Sequence, residues 1–571
     1  MKNFKKLLLL LPVSLISAIG LVGCKSSSRV IRILNCEDYI YEYESGDEDY
    51  AYAEEDVDSE DWADYKDNYR KDMIDQFKDY WQRENGEEIE VVYDTFDTNE
   101  TMFNELNTGK TSYDVIVPSD YMIQKLASKN MLEKISDESC WDNISPWLEE
   151  KFSNINIFDD NGNALKDAES DELLTIKDFS VPYMWGTVGI MYNPEFYSDT
   201  LDEDTVHELF TDWDSLYGEE LKGSFSIKDS VRDTYAVSLI HTFRDEIKNV
   251  SNEENDKLTE IFNRHDVETM KKVKNDMLDL KKNAFGFECD SGKTDMTTRK
   301  IGANMCWSGD ATWAITEAED FGLEIYYSVP TSYEGDSTKG ASNIWFDGFC
   351  MPKNAQKDLA QGFIKFMSEP RNAAQNCYCV GYTPGVAGDE MLEYILGEYE
   401  ANATLEYYQD ELAGLDEKYE ELLAEAKNNK QKEALLKEKA KEEVSLKECI
   451  KDEEAWILEN EGTEENYYDL RYFYGDTVDD AYFLPCVGSV GRQLTAQYPS
   501  KDMLPRLAVM NDFGKEGNVR LLDMWEQVRT NALPTWGIIV LAIEGVSALA
   551  LAVYLIKHKV DRKRFKKIRH S

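Results

Sequence analysis

Histidine is scarce in this 571-residue chain: His207, His241, His265, His558 and His570 are the full set, and no two stand at a metal-ligand spacing. No metal centre is expected on that pattern. The H-E-x-x-H, G-x-S-x-G, Walker A and dinucleotide-binding patterns are missing as well, so no catalytic constellation and no cofactor cradle is expected. Cysteine is present ten times without a disulfide framework; the close pair Cys377 and Cys379 has a one-residue gap that does not match zinc-knuckle spacing. Positive charge is also short, with 62 Lys and Arg against 112 Asp and Glu, a formal charge of −50. Nucleic acid is excluded as a partner, because phosphate backbones need clustered cations. Such a surface steers cationic ligands toward it, although acidity also serves plain solubility.

The two ends carry the long apolar runs. Lys2, Lys5 and Lys6 precede an apolar stretch from Leu7 to Leu21, and Leu-Val-Gly-Cys ends at Cys24. Residues 1–24 therefore read as a secretory signal with a lipobox-like end, which makes Cys24 the expected lipidation site. The other apolar run, Trp536 to Ile556, is 21 residues long. At 1.5 Å per residue it crosses a hydrocarbon core of roughly 30 Å, so a transmembrane helix is expected over 536–556. The basic tail 557–571 then lies in the cytoplasm, by the positive-inside bias. Residues 1–23 carry +3 and residues 536–571 carry +6, so −59 falls on the part expected outside the cell.

Between those ends, short β-branched runs alternate with helical patterns. Val30–Leu34, Ile89–Tyr93 and Asp114–Val117 read as strands, and a stretch near Tyr69 to Glu84 reads as a helix. The alternation continues to about residue 380, which predicts an α/β fold with mostly parallel sheets and a ligand at the carboxyl ends of strands. Residues 41–67, crowded with Asp, Glu and Tyr, read as an inserted acidic loop. Leu405, Tyr408, Leu412, Leu415, Tyr419, Leu422 and Ala426 repeat at alternating spacings of three and four. Asn428-Asn429 interrupts that stripe and a weaker helical pattern follows, which predicts an antiparallel helical hairpin.

Several segments resemble the spermidine/putrescine-binding proteins of polyamine ABC transporters. They are N-C-E-D-Y at Asn35–Tyr39, N-E-T-M at Asn99–Met102, Y-D-V-I-V-P-S-D-Y at Tyr113–Tyr121 and V-P-Y-M-W-G at Val181–Gly186. Further along come Gly223-Ser224 with D-S-V-R-D at Asp229–Asp233, W-S-G at Trp307–Gly309, W-F-D-G at Trp345–Gly348 and G-Y-T-P at Gly381–Pro384. The resemblance implies a two-lobed type II periplasmic-binding-protein fold whose lobes close on an extended ligand. It places lobe 1 at 30–187, lobe 2 at 188–345, a return to lobe 1 at 346–389, the hairpin insert at 390–465 and a return to lobe 2 at 466–530. By the same resemblance Tyr39, Ser119, Tyr121, Asp233, Trp307, Trp345, Asp347 and Tyr382 are ligand-binding residues, with Asp38, Asp120 and Asp229 as further candidates.

Those residue types suit a polyamine on physical grounds. Such a ligand is a flexible methylene chain bearing ammonium groups, so its site needs carboxylates at intervals to replace lost water. Aromatic walls cover the methylenes, and each ring contributes roughly 0.5–2 kcal/mol of cation attraction. Three positions depart from the family: Cys36 stands where relatives carry a tryptophan, Ser230 where they often carry an acid, and Met510 where a glutamine is expected. The reading is a membrane-anchored extracellular binding protein, periplasmic if the cell has an outer membrane. Its partners are a polyamine, ABC permease subunits and, through them, a cytoplasmic ATPase. The rivals are the same fold binding another solute, and a doubly anchored surface protein that binds a protein partner through its hairpin.

Overall fold

The computed structural model describes residues 28–43, 71–388 apart from Asp290 and Asp320, 391–393, 395, 401–460 apart from Lys427, 467–475, 484–485 and 488–530. The expected signal segment with Cys24, the transmembrane helix 536–556, the basic tail and all but the start of the acidic insert lie outside these residues. Among the described residues no helix is long and apolar enough to cross a membrane. The insert itself starts later than its composition suggests. Tyr41 is buried, its N–H donates to Asn376 Oδ1 at 2.8 Å, and its carbonyl accepts from Met73.

Eight strands form the spine of a mixed sheet: β1 (Arg29–Cys36), β2 (Ile89–Phe96), β3 (Val115–Ile116), β4 (Ser180–Tyr192), β5 (Phe225–Lys228), β6 (Gly286–Glu288), β7 (Ala303–Trp307) and β8 (Ser342–Pro352). They run in the order β2-β1-β3-β8-β4-β7-β5-β6. The block β2-β1-β3 is parallel, and so is the block β7-β5-β6. The long strands β8 and β4 are antiparallel to each other and join the two blocks. Every residue of β4 is buried, in keeping with a strand covered on both faces.

The apolar core divides where the chain passes along these two strands. Phe77, Val115, Trp185, Phe349 and Phe363 belong to one cluster, whereas Val188, Tyr235, Phe262, Met305 and Trp525 belong to another. The change falls between Trp185 and Val188 on β4. A smaller cluster, with Met191, Cys306 and Ile315, lies under the helix Ser308–Glu319. The resemblance assigns 466–530 as a whole to the second lobe, and here the structure differs. Leu470, Phe473, Tyr474, Tyr498 and Leu507 pack in the first core, Ala496 packs in the small cluster with Met191 and Ile315, and the chain joins the core of Val188 and Trp525 at Ala508. The physical reason is a set of ring contacts: Phe473 stacks on Trp185 at 5.5 Å and meets Tyr498 edge-on at 5.4 Å.

The helices Ala401–Glu425 and Asn429–Asn460 form the hairpin. Leu415 and Tyr419 are buried in the seam, and Tyr419 donates to Glu442 Oε2 at 2.6 Å. Neither residue belongs to either main core. The insert begins later than residue 390, because Met391, Leu392 and Ile395 are buried in the first core.

Candidate ligand-binding cleft

Asp347 sits at an irregularity in β8. The register against β4 shifts between Phe346 and Gly348, opposite Pro182, which has no N–H to give to the ladder. The bulge leaves Asp347 bridged to Ser119 rather than paired with β4. Tyr39 donates its hydroxyl to Asp347 Oδ2 at 3.0 Å, while Oδ1 is buried with no partner at hydrogen-bonding geometry among the described residues. Burial raises the Asp347 carboxyl to about 6, against the opposing pull of the Ser119 and Tyr39 hydroxyls. Asn99 fixes Ser119 from both sides, donating to its Oγ at 2.9 Å and accepting from its N–H at 3.1 Å.

Rings surround that carboxylate. Tyr382 meets Tyr39 edge-on at 5.2 Å and Trp345 at 5.8 Å. On the other lobe, Asp233 lies in the first turn of the helix Val231–Ile247, which Ser230 caps. Asp233 Oδ2 accepts from Trp307 Nε1 at 3.0 Å. Burial raises the Asp233 carboxyl, offset in part by Ser230, Trp307 and the Lys228 and Arg232 cations.

The lobes touch through these residues. Arg232 packs its guanidinium 4.5 Å from the Tyr121 ring and 4.3 Å from the Phe513 ring, and Tyr121 donates to Glu100 Oε1 at 3.1 Å. Gln124 donates to Asn511 Oδ1 at 3.2 Å. Tyr382 donates to Asp310 Oδ1 at 2.8 Å, crossing from the first lobe to the second.

The structure thus brings together Tyr39, Ser119, Tyr382, Trp345 and Asp347, and separately Asp233 with Trp307; Tyr121 joins through Arg232. The remaining three stand apart. Asp120 accepts from the backbone N–H groups of Tyr121 at 2.5 Å and Phe346 at 3.2 Å, so its oxygens brace β8 behind Asp347. Burial, with Asp347 nearby, raises its carboxyl to about 8. Asp229 pairs its Oδ2 with Arg529 of the final helix at 2.8 Å, while its Oδ1 is buried with no hydrogen-bond partner among the described residues. Asp38 is exposed at a left-handed turn with φ 51°. Sequence reasoning missed Lys228, Arg232, Asp310, Glu100 and Phe513. Two of them lie beside quoted motifs: Lys228 directly precedes D-S-V-R-D, and Asp310 directly follows W-S-G.

Gly186 permits the close approach on which Trp345 depends. A Cβ there would stand 2.3 Å from Ser308 Oγ and 2.8 Å from Trp345 Cζ2. Gly186→Ala is expected to lower stability by about 1–3 kcal/mol through overpacking and to displace the indole. Denaturant melts followed by tryptophan fluorescence check this; an unchanged midpoint and spectrum would contradict it.

Residues 72–389, more than half of the chain, match the family of bacterial extracellular solute-binding proteins, and the chain belongs to that family. Among curated relatives, the spermidine/putrescine-binding periplasmic protein of Escherichia coli (strain K12) is 28% identical over 309 residues, 53% of this chain and 73% of that protein. The putrescine-binding periplasmic protein PotF of the same organism is 24% identical over 319 residues, 54% of this chain and 72% of that protein. These relatives are binding proteins, not enzymes. A solved structure, a putative spermidine/putrescine ABC transporter from Listeria monocytogenes, has 23% identity and a TM-score of 0.46, over 88% of this chain and 99% of that one.

Proposed function

We propose that this chain captures a linear polyamine in the cleft around Asp347 and delivers it to an ABC importer. The observation that carries the reading is the state of Asp347: a buried carboxylate with one oxygen bonded to Tyr39 and the other without a hydrogen-bond partner among the described residues, set among the rings of Tyr39, Tyr382 and Trp345. A buried charge without a partner is costly, and an ammonium group removes that cost. Asp233 with Trp307 offers a second carboxylate and a second aromatic face. The names of the curated relatives support the same ligand class. Closure of the two lobes would exclude water, and release would need the transporter to reopen them.

Titration of tryptophan fluorescence tests the reading, because Trp307 and Trp345 would both line the occupied cleft. Putrescine or spermidine is expected to change the emission saturably at micromolar concentration, and an amino acid such as glutamate is not. No response to any polyamine would contradict it.

The hairpin packs on itself, so it is expected to be dispensable for capture. Deleting 401–460, which spares the buried Met391, Leu392 and Ile395, should leave polyamine affinity within about twofold. A protein that folds but loses the ligand would assign the hairpin a role in the cleft.

A further inference from the structure

Lys228 ends β5, five residues before Asp233, at the carboxyl end of a parallel strand where this class of sheet opens to ligand. Its side chain is 3% exposed, and its ammonium lies 2.7 Å from Asp310 Oδ2 and 3.8 Å from Glu288 Oε1. The same ammonium stands 4.3 Å from the centroid of the Trp307 ring. Burial works against its charge, but Asp310 and Glu288 outweigh burial and hold the group above its ordinary pKa. It is a permanent cation throughout the physiological range.

Asp310 uses both oxygens inside the protein. Oδ2 takes Lys228, and Oδ1 accepts the Tyr382 hydroxyl from the other lobe at 2.8 Å. Lys293 adds a more distant cation 3.9 Å from Oδ1. An ion pair that only stabilised the second lobe would have no reason to cover the face of Trp307 or to hold a tyrosine of the first lobe. Glu288 is likewise satisfied, by the N–H of Gly292 at 2.8 Å and the amide of Asn304 at 3.0 Å. Asp347 and Asp233, by contrast, make no ion pair among the described residues; the groups that support their charge at close range are neutral, Ser119 and Tyr39 for Asp347 and Ser230 and Trp307 for Asp233.

We propose that Lys228 occupies from within the place a third ammonium would need, so that the cleft takes a diamine such as putrescine in preference to a triamine such as spermidine. The assignment rests on the polyamine reading and deepens it. Asp347 on the first lobe and Asp233 on the second make no ion pair among the described residues, which leaves each available to one ammonium group. A third, carried toward Trp307 and Tyr382, meets a fixed like charge and a carboxylate that is already paired.

Calorimetric titration of the full-length protein with putrescine and with spermidine tests this, on wild type, K228Q and K228R. Wild type is expected to bind putrescine about tenfold tighter than spermidine. K228Q removes the like charge and frees Asp310, so its spermidine-to-putrescine affinity ratio should rise by about tenfold. K228R keeps the cation and should keep the wild-type ratio. Wild type that binds spermidine as tightly as putrescine overturns the assignment, whether or not K228Q folds. So does a folded K228Q with an unchanged ratio, or a K228R that shifts as K228Q does. Binding of neither polyamine to wild type overturns the proposed function itself, and the role of Lys228 falls with it.

Discussion

Asp347→Asn is expected to lower polyamine affinity by two to three orders of magnitude, and at the same time to make the empty protein more stable. The loss follows from the ammonium group: truncating one partner of a buried, hydrogen-bonded charge pair costs about 2–5 kcal/mol, much of it the penalty of leaving the other charge unpaired. The gain follows from the empty cleft. There the carboxylate is buried, and among the described residues Oδ1 has no hydrogen-bond partner and no cation pairs with it. Asparagine fills the same volume without a charge and can still accept from the Tyr39 hydroxyl. Thermal melts without ligand should place the variant above wild type at pH 8, while titration places its affinity far below. A variant that binds normally would remove Asp347 from the site; one that is both weaker-binding and less stable would make its role structural.

The pH dependence has the next largest expected effect, and its sign is set by the raised carboxyls. In the empty cleft Asp347 titrates at about 6 and Asp120 at about 8, both raised first by burial. A carboxyl whose folded pKa exceeds its unfolded value near 3.9 stabilises the fold below that unfolded value. This contribution is lost as pH rises through the folded pKa. For Asp347 alone the loss between pH 4 and pH 7 is about 2 kcal/mol. Ligand reverses the preference, because an ammonium needs the ionised form. Polyamine affinity should therefore rise up to about tenfold per pH unit from pH 5 toward pH 6 and flatten above it. Binding at pH 6 should release protons, which calorimetry in buffers of different ionisation enthalpy reads directly. Affinity that is flat from pH 5 to pH 8 would mean that Asp347 does not meet the cation.

The sequence made the strands of this fold legible through composition. The β-branched runs Val30–Leu34 and Ile89–Tyr93 read as strands, and the structure places them within Arg29–Cys36 and Ile89–Phe96. The heptad stripe from Leu405 likewise marks the first hairpin helix, because a three-four spacing has meaning only on a helix. Contacts that depend on distant partners were not legible. Lys228 and Asp310 are 82 residues apart, and each taken alone reads as a solvated charge. The bulge at Asp347 is a matter of register between two strands more than 150 residues apart, which no local pattern encodes. Asp229, a further candidate four residues before Asp233, gives its Oδ2 to Arg529 of the last helix, a partner that no local pattern reveals. The packing of Leu470, Phe473 and Tyr474 in the first core rather than the second depends on a ring stack that Phe473 makes with Trp185, and only the folded sheet brings that indole there.

The central claim, that the Asp347 cleft holds a polyamine, is tested most directly by calorimetric titration of the full-length protein with putrescine, spermidine and glutamate, repeated on Asp347→Asn. The account predicts saturable binding of at least one polyamine at micromolar affinity or tighter, no binding of glutamate, and loss of the polyamine signal in the variant. Heat of binding from neither polyamine, or equal affinity in wild type and Asp347→Asn, would contradict it.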